Sequence, residues 1–181
     1  MLAHVTMAQD VVLRPWELSD AERFYEILNN DAFVYFPVRP KTLDEEYAYL
    51  KQHIDSPTSR QYNFTVLYKG LIIGSVGIKL DFHRPHIGEI GYFIDEMYWG
   101  KGIACEAVKL LEAYGWNTLK LHRLEVFMRP ENTASVRVAE KCGYRKEGLM
   151  KEVLMSSDGF KDAYLFAKTK SEISAVEMTE K

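Results

Sequence analysis

Gly100-Lys101-Gly102-Ile103-Ala104 is the stretch of this chain whose residue types and spacing point most directly to chemistry. It lies between a strand-like run, Ile87 to Ile94, and a helix-like run that begins at Ile103. A helix start leaves backbone N–H groups without intrahelical partners and carries a partial positive charge. Phosphate oxygens satisfy both. The glycines allow positive φ and a close approach of backbone to anion, and Lys101 adds a cation. Spacing alone leaves open a turn that merely reverses the chain. A dinucleotide site fits poorly, because Cys105 fills its third small position and Lys120 stands where an acidic residue would meet the ribose. The Gly-x-x-x-x-Gly-Lys-Ser/Thr loop of nucleotide hydrolases does not occur.

Upstream, Glu89 sits in an otherwise apolar strand. Desolvation there raises a carboxyl pKa, which suits a group that must take up a proton. An edge carboxylate in a surface salt bridge is the alternative. Asn132, after Pro130-Glu131, is well placed to cap a helix. His83 and His86 lack a third ligand nearby, and Cys105 and Cys142 form neither a CxxC pair nor a zinc spacing, so no metal is expected.

These residues need elements to hold them. Val11 to Arg14 reads as a first strand stopped by Pro15. Ser19 to Glu22 and Thr42 to Glu45 read as capping boxes that open two helices, the first with Ser19 as N-cap. Tyr62 to Tyr68 and Leu71 to Leu80 form a predicted hairpin around Lys69-Gly70, and Ile87 to Ile94 is the next strand. A long helix runs from Ile103 to about Lys120, with Ala104, Ala107, Val108, Leu111 and Tyr114 at helical spacing. Then come a strand from Arg123 to Met128, a helix from Asn132 to Lys141 closed by Gly143, and two strands around Asp158-Gly159. Ser171 to Lys181 is polar and reads as a frayed tail. The fold class is α/β (α+β): a mixed, mostly antiparallel sheet of six to seven strands with helices on both faces. One right-handed parallel crossover spans Ile87 to Met128.

The 181 residues suit one domain, with a core from about 10 to 168. A net charge of −3 gives no support for a nucleic-acid partner. The N-terminus lacks a signal-peptide pattern and no run is long enough to span a membrane, so a soluble, cytoplasmic protein with reduced thiols is expected. Monomer and homodimer are both compatible with the sequence; the late strands are the candidate dimer surface.

Taken together, Glu89-Ile90-Gly91-Tyr92, Tyr98 to Ala104 and Glu106-Ala107 resemble the coenzyme-binding motif of the GNAT acetyltransferase superfamily. Arg129 to Ser135, closed by Glu140-Lys141-Cys142-Gly143-Tyr144, resembles the motif that follows it. Arg14-Pro15-Trp16, Asp20-Ala21 and Glu147-Gly148 are similar to the branch that acetylates ribosomal-protein N-termini, the RimJ/RimL type. The superfamily often has Gln or Arg where Trp99 stands, but tryptophan is common in this branch.

The resemblance implies the GNAT fold and direct acetyl transfer from acetyl-CoA to a primary amine in a ternary complex, without a metal. It implies that Trp99, Gly100, Lys101, Gly102, Ile103 and Ala104 hold the pyrophosphate. It places the backbone of Tyr92, Phe93 and Ile94 along the pantetheine arm, with Asn132 also near it. Glu89 becomes the general base and Glu152 its rival. Ser135 comes near the coenzyme sulfur, because Ala139 stands where many members have a tyrosine that protonates the thiolate. Tyr35, Phe36 and Pro37 become an acceptor wall. The implied acceptor is a protein N-terminal α-amine. Alternatives are a polyamine or aminoglycoside and, from another class, a non-catalytic acyl-CoA sensor.

Overall fold

The computed structural model describes residues 10–36, 39–56, 60–156 and 158–173. Eleven regular elements follow in chain order: β1 Val11–Pro15, α1 Ala21–Leu28, α2 Leu43–Asp55, β2 Gln61–Tyr68, β3 Leu71–Leu80, β4 Ile87–Ile94, α3 Ile103–Asn117, β5 Arg123–Met128, α4 Thr133–Lys141, β6 Arg145–Ser156 and β7 Gly159–Thr169. Seven strands form one sheet in the order β1-β2-β3-β4-β5-β7-β6. Among the described residues only β4 and β5 are parallel, joined by the crossover through α3. The expected fold class, sheet size and crossover all hold.

The strands alternate between two apolar layers, as a period of two requires. Val76, Ile78, Ile90, Ile94, Leu124, Val126 and Met128 face α3 and α4, where they meet Val108, Leu111 and Ala139. Phe93 points the other way, into a smaller cluster with Phe24, Ile27 and Leu28 of α1 and Leu50 of α2. The Phe93 ring takes Phe24, Phe33 and Phe36 edge-on, at centroid distances of 5.2, 6.5 and 5.6 Å. Such contacts fix β4 from the α1/α2 side.

Several boundaries differ from expectation for identifiable reasons. Strand β1 runs through Pro15, which lies opposite Phe64 at the edge of the sheet, where a missing N–H costs no ladder bond. Ser19 does not cap α1; a 3₁₀ turn spans Leu18–Asp20 and Asp20 is the N-cap residue. Tertiary contacts claim Asp20: its fully buried carboxylate accepts from both Arg14 Nη atoms at 2.8 and 2.5 Å, from Thr65 Oγ1 at 2.5 Å and from the Glu17 N–H at 2.9 Å. Thr42 does cap α2, accepting from Glu45 N at 3.2 Å. Lys69 and Gly70, at φ 50° and 81°, make the tight turn predicted for the hairpin. Helix α3 stops at Asn117, short of Lys120, because the Leu121 N–H bonds back to Gly115 O and Lys120 turns left-handed at φ 56°. Gly143 has the left-handed φ of 83° expected after α4. Residues 170–173 form a helical turn, held by Glu172 on Thr169 N at 2.8 Å and by its ion pair with Arg145, and the rest of the expected frayed tail, 174–181, lies outside the described residues.

Candidate active site

The parallel ladder between β4 and β5 is short. It pairs Ile87 with Arg123, Gly88 with Leu124 and Glu89 with Glu125, and then ends. On its other edge β4 stays paired with β3 as far as Ile94. From Ile90 onward the β5-facing edge of β4 therefore has no strand partner among the described residues, and the two strands open into a V. Hairpin β6–β7 keeps β5 on its own side of the opening, through pairs from Arg123↔Thr169 to Met128↔Tyr164.

Above the open edge lies the glycine turn. Gly100 and Gly102 have φ of 73° and 82°, and a Cβ at either would meet nothing within 4 Å. They are needed for backbone conformation, not to avoid a neighbour. Gly102 is the N-cap of α3 and offers no side-chain cap, so the first amides of that 15-residue helix are left for an anion. Lys101 Nζ donates to Met97 O at 2.9 Å, and Trp99 Nε1 donates to Ile94 O at 2.5 Å. The indole also meets the Phe33 ring at 5.7 Å. Trp99 thus ties the turn to the end of β4 and to the α1–α2 connection.

Across the V, Asn132 caps α4 and its Oδ1 accepts from Ser135 N at 3.1 Å. Tyr92 points from β4 toward this helix. Its hydroxyl is buried without a formed hydrogen bond, although Ser135 lies close enough to act on it. Burial pushes the phenol up to about 12, with Cys142 and Cys105 adding to the rise. Ser135, Ala139 and Cys142 follow at near-helical spacing, so the phenol from β4 stands on the side of α4 where Ala139 leaves room.

The α1/α2 face of the sheet holds a groove of about 530 Å³, lined among others by Glu89, Glu125, Lys79, Arg60, Phe82 and Phe127. Glu89 reaches solvent there, yet its surroundings desolvate it enough to raise its carboxyl above the ordinary value; Lys79 opposes the rise and Glu125 adds to it. Glu125 was not singled out in the sequence, because an acidic residue in a short strand carries no mark of its register partner. Its Oε1 accepts from Arg123 Nε at 2.6 Å, and Arg123 reaches on to Glu147 at 3.0 and 2.5 Å. Glu147 is the residue bulged out of the β6–β7 pairing between Lys146 and Gly148. Alternating charge in Arg123-Leu124-Glu125 was the only available signal.

Tyr35 and Phe36 lie on the α1–α2 connection, Phe36 against Phe93 and Tyr35 under the guanidinium of Arg129, which follows β5 and lies 5.3 Å from the Tyr35 ring centroid. Pro37 lies outside the described residues. Glu152 stands apart from Glu89. It is exposed on a bulged stretch of β6 at φ 52°, its amide donates to Asp162 Oδ1 at 3.0 Å, and it is not among the groove's lining residues. His83 and His86 are exposed in the loop beside the groove, and no group of three metal-ligating side chains occurs among the described residues.

A family model described as an acetyltransferase (GNAT) domain matches residues 10–145. The chain belongs to the GNAT acetyltransferase family. It is an N-acetyltransferase of that family, similar at 30% identity over 167 residues to an uncharacterized N-acetyltransferase p20 of Bacillus licheniformis, covering 90% of this chain and 94% of that one. It is also 30% identical over 152 residues to a spermidine N(1)-acetyltransferase of Escherichia coli strain K12, covering 82% of this chain and 81% of the relative. Among solved structures, RimJ of Mycobacterium smegmatis in complex with CoA-disulfide superposes with a TM-score of 0.81 at 26% identity, over 90% of this chain and 83% of that one. A RimJ protein and a spermidine N(1)-acetyltransferase thus both stand among the proteins it resembles. No described helix is long and apolar enough to cross a membrane.

Proposed function

We propose that this GNAT enzyme transfers the acetyl group of acetyl-CoA to a protein N-terminal α-amine by direct attack in a ternary complex. The observation that carries the reading is the end of the β4–β5 ladder at Glu89↔Glu125, with an unpaired β4 edge beyond it and an uncapped α3 start at its top. An amide-bearing arm fits that edge as a short added strand, and a pyrophosphate fits the turn. Acetyl-CoA, when bound, supplies an activated acyl group on a thiol leaving group.

The chain's own residues do the rest. The backbone of Tyr92, Phe93 and Ile94 orients the arm, and an N–H there polarises the acyl carbonyl. Trp99, through Ile94 O and Phe33, holds the turn at the height this requires. Gly100 to Ala104 receive the pyrophosphate, with Lys101 contributing charge rather than geometry. Glu89 takes the proton from the attacking amine, directly or through water, and its raised pKa supports that role. Ser135 hydrogen-bonds the departing thiolate, with the buried Tyr92 hydroxyl behind it. Tyr35 and Phe36 border the acceptor's entry. Glu152 serves acceptor binding on the rim, away from the reacting atoms.

A polyamine acceptor is the second reading, favoured by the spermidine-acetylating relative. Thiol release from acetyl-CoA, measured against N-terminal peptides, polyamines and aminoglycosides, decides between them. Turnover on peptides with little on polyamines is expected; the reverse order overturns the N-terminal reading.

A further inference from the structure

One row of residues crosses four strands on the groove face: Gln61 pairs with Lys79, Lys79 with Glu89, and Glu89 with Glu125. Arg60 immediately precedes this row. Its guanidinium lies over the Phe82 ring at 3.8 Å, and its backbone carbonyl is held by Leu80 N at 2.7 Å. Nη1 of Arg60 is buried without a hydrogen-bond partner, and no carboxylate among the described residues pairs with this guanidinium. Other charges in the groove are already matched. Asp81 holds Arg84 at 2.7 Å and Glu125 holds Arg123 at 2.6 Å. That leaves Lys79 facing Glu89 across one strand pair and Arg60 without a counter-charge among the described residues.

We infer that Arg60, held on Phe82 and helped by Lys79, is an acceptor-specificity site that binds a carboxylate of the amine acceptor. The inference rests on the proposed acetyl transfer at Glu89. Arg60 lines the groove with no carboxylate partner among the described residues, and a planar guanidinium matches a carboxylate in shape and charge. Strand spacing sets the separation: Lys79 is one strand from Glu89 and the Arg60 side is two, or roughly 5–10 Å across the sheet. A peptide advances about 3.5 Å per residue. The acidic group therefore belongs to the side chain of the second or third residue of an N-terminal peptide, not to the reacting residue. A second ammonium in the same place would meet Arg60 and Lys79, so the site also disfavours polyamines.

The test compares C-terminally amidated peptides with Asp, Asn or Lys at the second or third position, at saturating acetyl-CoA. The KM of an Asp peptide should be roughly 5- to 10-fold below that of its Asn counterpart, and a Lys peptide should be poorer still. Arg60→Gln should bring the Asp-to-Asn ratio near one, with Arg60→Lys recovering part of it; melting curves by circular dichroism check that each variant folds. A ratio unchanged by Arg60→Gln, or a preference for Lys peptides, overturns the site while leaving the reaction intact. If peptides fail but small amines react, 6-aminohexanoate against hexylamine supplies the same comparison and only the N-terminal reading falls. If no amine releases thiol, the reaction proposed at Glu89 falls and this inference falls with it.

Discussion

The two faces of the sheet differ in what their candidate sites are made of. On the α3/α4 side, the proposed coenzyme site is mostly backbone: an unpaired strand edge, two left-handed glycines and the open start of a helix. It comes from residues close together in sequence, Tyr92 to Ala104, with Asn132 and Ser135 added by the next helix. On the α1/α2 side, the proposed acceptor groove is mostly side chains, drawn from residues as far apart as Arg60 and Phe127. Backbone sites tolerate most side-chain exchanges and fail where backbone conformation is lost. Side-chain sites fail one functional group at a time.

The sharpest test of that contrast is Glu89→Gln. It removes the proposed base while leaving the unpaired edge and the turn in place, so kcat should fall by roughly 10²–10³-fold with little change in KM for acetyl-CoA. In the parent enzyme, kcat/KM should rise with pH as Glu89 ionises, at a pH above the ordinary carboxylate range because its pKa is raised. Gln should remove that limb and leave only the limb set by the amine. An unchanged turnover would remove Glu89 from the mechanism.

On the other face the contrast predicts unequal neighbours. Gly102→Val forces a β-branched residue to φ 82°, at a cost on the order of 1–3 kcal/mol. It should raise the KM for acetyl-CoA by about tenfold or more. Lys101→Ala, one position away, should change that KM by no more than about threefold, as for an exposed charge. Equal effects at both positions would mean that charge, not backbone, binds the phosphates.

Ser135→Ala should lower kcat by roughly 3- to 10-fold, the loss of one hydrogen bond worth about 1 kcal/mol net. Tyr92→Phe should fall below that if the phenol only supports Ser135. A Tyr92→Phe loss larger than that of Ser135→Ala would make the phenol the group nearest the thiolate.

The smallest expected effect is on stability. Glu46, on α2, is buried, and desolvation pushes its carboxyl up to about 7. The folded state then holds this proton where the unfolded chain, at the ordinary glutamate value of 4.5, releases it. Stability from this group is greatest below pH 4.5, declines as pH rises, and has been lost once pH exceeds about 7. Glu46→Gln should stabilise the protein by about 1–2 kcal/mol at pH 8 and by almost nothing at pH 4. Denaturant melts at the two pH values measure it; an equal gain at both would assign the effect to packing.

What the sequence by itself determined is whatever depends on local chemistry. Periodicity marked the seven strands and four helices, Thr42 and Asn132 marked helix starts, and Gly100, Gly102 and Gly143 marked the positions that need left-handed backbone. These signals are readable because each satisfies backbone groups within a few residues. Ser19 misled because its neighbour Asp20 is claimed by Arg14 and Thr65, a partner 45 residues away. Only the tertiary structure decided how far the β4–β5 ladder runs, that Glu125 faces Glu89, and that Arg60 reaches Phe82 without a carboxylate. Strand register and groove composition are set by packing between segments distant in the chain, and no local pattern in any one of them records its partner.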